Sequence, residues 1–279
     1  MEVRSLAQTP LKEIVDCLSL SFSDYFVQMP DDPAYWKKRW KGARVDYRAS
    51  YGMFDEGQLV GFMVHGIDFW KGIFTAFNTG TGVIPSHRGQ KIVQKMYEKA
   101  IPELKDRGVQ VCALEVIQKN EKAIRAYKGV GFSISRKLKC YRGTISSKNK
   151  NTVQLKKKNL QFFDWDAYQG QHFYSWDHVQ MAILLQEKHY ELYEVAQKQK
   201  NIGYFIINPK TGYLAQFDLR DRAHADHWTL LMEGIAQIST FLKILNVDPV
   251  ETAKIQLLDN SELDNYINQY EMELLLDNS

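Results

Sequence analysis

A tyrosine and a basic, glycine-containing loop are the residues in this chain best placed to do chemistry together. The loop, Ser86-His87-Arg88-Gly89-Gln90-Lys91, directly follows Pro85. It leads into a run whose apolar positions, Ile92, Val93, Met96, Ala100, Ile101 and Leu104, fall on one helical face. The first-turn N–H groups of such a helix have no internal partner. With the helix dipole and the Arg88 and Lys91 cations they make a site for a pyrophosphate. Gly89 lets a ligand approach the backbone closely. The tyrosine is Tyr127, a phenol that the expected fold would turn toward the loop. Taken alone, the loop also reads as a solvated turn with two surface cations, and Tyr127 as a helix residue packed on a sheet.

Both lie in residues 75–132. The run TAFNTGTGVI reads as a strand that Pro85 ends by removing a ladder donor, and Gly80 and Gly82 suit a bulged, locally unpaired stretch of it. The loop's helix is bent near Pro102 and stopped by Gly108. A buried strand, VCALEVI, follows, then a short helix capped by Asn120 and closed by Gly131-Phe132. Upstream, an opening strand spans residues 3–7. Thr9 and Pro10 are a cap and first-turn proline for a helix with Leu11, Ile14, Val15 and Leu18 on its apolar face. Asp32-Pro33 starts a second helix, and Tyr25, Tyr35 and Trp36 are read as packing on the sheet. Turns at Asp55-Glu56-Gly57 and Trp70-Lys71-Gly72 join three further strands, and SISRKLKCYRG closes a mixed α/β sheet. A dinucleotide-binding fold is disfavoured, because its glycine loop follows the first strand.

The order Val83, Pro85, Arg88, Gly89, then Leu114-Glu115-Val116 and Asn120, then Ala123, Tyr127, Gly131 and Phe132, resembles the acyl-CoA-binding core of the GNAT N-acyltransferase superfamily. The resemblance covers about sixty residues closely. It implies a GNAT fold in which the strand before the loop and the LEV strand splay apart, admitting a pantetheine arm that pairs with backbone. It implies that Gly82, Val83 and Ile84 contact the pantetheine and acyl group, that Arg88, Gly89, Gln90, Lys91 and Ile92 hold the pyrophosphate, and that Asn120 bonds the coenzyme. It further implies acetyl-CoA as co-substrate, an amine attacking the thioester through a tetrahedral intermediate, Tyr127 as general acid and a backbone N–H, Val83 foremost, for the oxyanion. Glu115 is the candidate base, or a residue that orients water or packs at the splay. The family usually reads Arg-Gly-x-Gly-x-Gly or Ala; Lys91 and Val93 stand at the later small-residue positions here.

The 279 residues suit one large or two ordinary domains. Hydrophobic residues make up 44%, ample for a core, and a mean hydropathy of −0.39 without a long apolar run argues for a soluble protein. A net charge of +3 is too small to demand nucleic acid, and Lys156-Lys157-Lys158 reads as solvated. Three cysteines lack metal spacing and make a disulfide framework unexpected; with no apolar signal near Met1, the cytoplasm is the expected compartment and no membrane is implied.

Residues 146–159 turn polar and Lys-rich, so the expected division is a catalytic GNAT domain at 1–145, a linker at 146–159, with or without one crossing strand, and a degenerate GNAT-like domain at 160–279. LVGFMV at 59–64 has a counterpart in IGYFII at 202–207. After it come a turn at Pro209-Lys210-Thr211-Gly212, a strand YLAQFDLRD, a helix over 228–245, a strand at 254–258 and a closing strand QYEMELLL. Asp221-Arg222-Ala223-His224 replaces the Pro-x-x-Arg-Gly loop, so no second coenzyme site is expected. His224 and His227 lack a third ligand at a recognised spacing and are read as a helix start with Asp221 and Asp226 as caps or surface charge, without a metal. The aromatic run 162–176 reads as packing, with an acceptor pocket as the alternative.

The expected function is acetyl transfer from acetyl-CoA to a primary amine, on a small molecule or a peptide, with the second half serving folding, acceptor choice or a homodimer. The alternative, suggested by Lys91 and Val93, is a non-catalytic acyl-CoA-binding or sensing module.

Overall fold

The computed structural model describes residues 1–24, 29–146 and 152–276. The expected packing of Tyr25 and residues 147–151 of the expected linker lie outside them. The chain forms two compact units, Met1–Ser135 with Tyr270–Ser279, and Arg136–Gln269.

In the first unit β1 (Glu2–Ser5), β2 (Tyr51–Asp55), β3 (Gln58–Trp70) and β4 (Ile73–Val83) form an antiparallel ladder, and β5 (Val111–Ile117) joins β4 in parallel. Both hairpins turn through paired left-handed residues, Glu56 (φ 47°) with Gly57 (φ 84°) and Lys71 (φ 53°) with Gly72 (φ 80°), the backbone a tight two-residue turn needs. Helices α1 (Leu11–Ser21) and α2 (Pro33–Gly42) cover one face around Leu6, Ile14, Leu18, Trp40, Phe62 and Val64. Asp32 caps α2 as expected, accepting from Ala34 N–H. Pro10, not Thr9, occupies the cap position of α1, with no side-chain cap bond. Helices α3 (Ile92–Asp106) and α4 (Glu121–Val130) cover the other face around Met63, Met96, Tyr97, Leu114, Tyr127 and Phe132.

The second unit repeats this plan. Strand β6 (Ser133–Thr144) borders its sheet, and β7 (Gln154–Lys158) pairs β8 (Glu191–Gln197), making a true strand of the Lys156-Lys157-Lys158 stretch. Two of its lysines are matched: Lys157 pairs Glu191 and Lys158 pairs Glu194. The segment 160–190 winds as short 3₁₀ turns around α5 (Gln180–Leu184) and packs Phe163, Trp165 and Tyr168 on the sheet, so the aromatic run is core. Phe162, 86% exposed, is its exception.

Strands β9 (Lys200–Asn208) and β10 (Tyr213–Leu219) form the hairpin matching β3 and β4. Helix α6 (His227–Ile238) then ends seven residues earlier than expected, and β11 (Phe241–Val247) takes over, its Phe241-Leu242-Lys243-Ile244 alternating exposed and buried. The expected strand at 254–258 lies in helix α7 (Thr252–Asp259). After the short β12 (Asp264–Asn265), β13 (Gln269–Leu275) is the expected closing strand, but it lies beside β5 in the first unit. No described helix is long and apolar enough to cross a membrane.

Candidate active site

Strands β4 and β5 are paired from Thr75–Val111 to Asn78–Leu114, and there the parallel ladder stops. The register of β4 against β3 slips at the same point, between Val64–Gly80 and His65–Asn78, leaving Thr79 as the extra residue of a bulge. Asn78 fixes this bulge from a buried position. Its Nδ2 donates to Thr81 Oγ1 (2.7 Å) and to the Tyr97 hydroxyl (2.9 Å), and its Oδ1 accepts from Gly80 N–H (3.1 Å). Sequence reasoning passed over Asn78 and Tyr97; the signal was an amide directly before Thr-Gly in a strand.

Beyond the bulge, Ile84 N–H donates to Val60 O, which makes Ile84–Val60 a bonded pair and Val83–Gly61 the non-bonded pair beside it. Val83 N–H therefore points away from β3, to the side where β5 has left. No side chain among the described residues caps it. Gly82 is held small by packing: a Cβ there would come within 2.7 Å of both Phe62 and Ser21. Ile84 is partly buried between the two cores.

Pro85–His87 form a 3₁₀ turn, Gly89 takes φ +80° with open space where a Cβ would stand, and Gln90 is exposed. Lys91 takes φ 56° at the α3 cap position, and the first backbone bond of the helix runs from Lys95 N–H to Lys91 O. The lysine thus keeps the left-handed backbone that a glycine would adopt freely. Its side chain is exposed. Ile92 contributes only its backbone to the loop, since its side chain is buried against Gly61.

Arg88 is already engaged. Its guanidinium grips both oxygens of Asp24 (2.6 and 2.7 Å), donates to Ser21 O (3.0 Å) and, through Nε, to Val83 O (3.2 Å). The hydrogen bonds from Arg88 hold the Asp24 carboxyl down at about 2. The residue ties the loop to the end of α1, a contact across 64 positions that no local pattern announces.

Asn120 caps α4, accepting from Ala123 N–H (3.1 Å). Tyr127, on that helix, is 9% exposed and meets Phe132 edge-on at 5.8 Å. Alternation along β5 puts Cys112, Leu114 and Val116 on the face that carries Tyr127, and Glu115 on the opposite face, just past the last β4–β5 pair. The two candidate catalytic side chains thus approach the sheet from different sides.

The second unit has the same scaffold with different contents. Strands β10 and β11 share one pair, Tyr213–Lys243, and β10 bulges at Ala215. Four residues follow the bulge in each case: Gly80-Thr81-Gly82-Val83 in β4, Gln216-Phe217-Asp218-Leu219 in β10. The Tyr174 hydroxyl donates to Phe217 O (3.0 Å) and accepts from Phe217 N–H (3.2 Å), and burial pushes this phenol well above its ordinary range, so it stays protonated. Leu219 N–H, the counterpart of Val83 N–H, is capped by Asp218 Oδ1 (2.9 Å). Asp218 is in turn gripped by Arg222, which also reaches Glu251, and Glu251 accepts from Lys254.

Residues 13–132 match the model of the acetyltransferase (GNAT) family. That stretch is a GNAT-family domain. No curated protein matches the chain in sequence. Among solved structures, it is similar to a GCN5-related N-acetyltransferase from Sphaerobacter thermophilus (TM-score 0.70, 10% identity, covering 99% of this chain and 95% of that one). It is also similar to a tandem GNAT protein from the clavulanic acid biosynthesis pathway (0.65, 12%, 100% and 99%) and to a GCN5-related N-acetyltransferase from Anabaena variabilis (0.64, 13%, 99% and 73%). At these identities the likeness is one of fold, and it extends over both units: the chain is a tandem of GNAT folds.

Proposed function

We propose that the first unit moves an acetyl group from acetyl-CoA to a primary amine, on a small molecule or a peptide, by direct attack of the amine nitrogen on the thioester. The observation that carries this reading is the parting of β4 and β5 after Asn78 and Leu114, with Val83 N–H turned toward the opening and the unbonded first turn of α3 at its end. The residues fit an extended thioester ligand carrying a pyrophosphate. Gly89 leaves room beside the loop, and the α3 amides offer donors to an anion.

Acetyl-CoA supplies an activated acyl group and a thiol leaving group. Gly82, Val83 and Ile84 would align its arm by backbone pairing. Residues 88–92 would hold its phosphates through main-chain N–H groups, with Lys91 adding charge and Asn120 a further bond. Val83 N–H stabilises negative charge on the carbonyl oxygen, and Tyr127 donates its proton to the departing sulfur. Glu115, on the other face, would draw a proton from the incoming amine through water. The second unit, whose matching amides are capped by Tyr174 and Asp218, would take no coenzyme.

The Arg88–Asp24 fork and the left-handed Lys91 favour a second reading, a non-catalytic acyl-CoA-binding or sensing module, because phosphates would have to compete with Asp24 for Arg88.

A thiol-release assay with acetyl-CoA and pooled amines, run beside calorimetry with coenzyme A, tests both. Transferase action predicts one coenzyme bound per chain and turnover that falls roughly 10²- to 10⁴-fold in Tyr127→Phe. Binding without turnover supports the module. No binding, with Arg88→Ala changing nothing, overturns both.

A further inference from the structure

Where the first unit has its glycine loop, the second has the turn between β10 and α6, and that turn gathers His224, Asp226 and His227. One donor atom from each lies within 4.8 Å of the others, and the two imidazole rings stand 4.8 Å apart, 36° from parallel. From the sequence, Asp226 reads as a helix cap or as surface charge. It occupies the cap position of α6 but makes no side-chain cap bond, so its carboxylate is available. Nδ1 of His227 is buried and makes no hydrogen bond. Asp221 Oδ2 lies 3.5 Å from His224 Nε2, while its Oδ1 accepts from Ala223 N–H (3.0 Å), the arrangement of an outer carboxylate that orients a ligating imidazole.

We infer that His224, Asp226 and His227 form a binding site for a divalent transition-metal ion of the zinc class. Two imidazoles and one carboxylate suit zinc, nickel or copper and not calcium or magnesium, which take oxygen sets. Three protein ligands leave a fourth position open. His224 and His227 also line a cavity of about 360 Å³ whose other walls include Lys200, Asn201 and Arg220. The cavity wall carries Asp221 as well as the two cations, and the open position takes water. The α6 N-terminus carries partial positive charge and opposes a cation, which is why the carboxylate of Asp226 matters to the set. The thiols are no rivals: Cys17, Cys112 and Cys140 are all buried.

Calorimetric titration of the full, tag-free, chelator-treated chain with zinc chloride should show one saturable equivalent. His224→Ala and His227→Ala should each weaken binding tenfold or more, Asp226→Asn several-fold, and His189→Ala, at an exposed histidine outside the cluster and the cavity, should leave it unchanged. The wild-type chain loaded with Co²⁺ should develop the intense visible absorption of a four-coordinate ion, a readout that needs no variant to fold. No saturable zinc heat, an affinity unmoved by His224→Ala, or only the weak spectrum of hydrated six-coordinate cobalt would overturn the site.

Discussion

Beyond Asn78 in one unit and beyond Tyr213 in the other, a strand loses its parallel neighbour and is left with backbone groups facing an opening. In the first unit the next four residues are Gly80, Thr81, Gly82 and Val83, and among the described residues no side chain caps the outward amide at Val83. In the second they are Gln216, Phe217, Asp218 and Leu219, and the chain closes the opening from within, through Tyr174 on Phe217 and Asp218 on Leu219. A buried amide or carbonyl without a partner is costly. The second unit therefore meets the requirement with its own side chains, while in the first the proposed coenzyme would meet it. The difference between a site and a core is here a matter of four side chains on a shared backbone.

The comparison can be broken first at Asn78. Asn78→Ala removes the bonds that set the bulge, and a displacement of the strand edge by about 1 Å is enough to cost on the order of 100-fold in turnover. Acetyl-transfer kinetics should show this with the overall fold intact by circular dichroism; undiminished turnover would mean that the bulge holds without its clamp. The matching change in the second unit, Tyr174→Phe, should leave turnover alone and destabilise that unit by roughly 1–3 kcal/mol, because Phe217 loses the partner of both its N–H and its C=O. Urea unfolding reads the loss.

A third test uses His65, which faces Asn78 across β3 and β4 and is fully buried, its Nδ1 2.7 Å from Ala49 O. Burial depresses its pKa to about 4. The unfolded chain, near the ordinary 6.5, then binds the proton more readily, so stability falls as pH drops from about 6.5 toward 4. Between pH 6.5 and 5 the loss should be about 2 kcal/mol. His65→Gln should flatten that part of the profile, and an unchanged slope would assign the pH dependence elsewhere. The smallest effect belongs to Lys91. Replacing it with glycine relieves the left-handed backbone and should raise stability by ~1 kcal/mol in thermal unfolding. A loss of stability instead would show that the lysine side chain anchors the loop.

What could be read from the sequence was local. The hairpin turns needed only Glu56-Gly57 and Lys71-Gly72, the α4 cap only Asn120, and the α3 loop only Pro85, Gly89 and the apolar spacing after it. Helix α6 was overextended because Leu231, Ile235, Ile238 and Leu242 keep a helical spacing through the break at Ser239. Only the alternation from Phe241 to Ile244 marks the strand. Residues 254–258 satisfy either period. The Arg88–Asp24 fork, the Asn78–Tyr97 bond and the Tyr174 cap on Phe217 join positions far apart in the chain, which composition and spacing do not encode. The same holds for the placement of β13, since nothing in QYEMELLL tells which sheet edge it will join.

That last strand bears on how the molecule is made. The first unit's sheet is completed beside β5 by residues that leave the ribosome only after the whole of residues 136–269. Pairings between such remote segments form late and slowly. During synthesis the amino-terminal unit must wait with an exposed edge, and its maturation is tied to that of its neighbour even though the candidate coenzyme site lies within it.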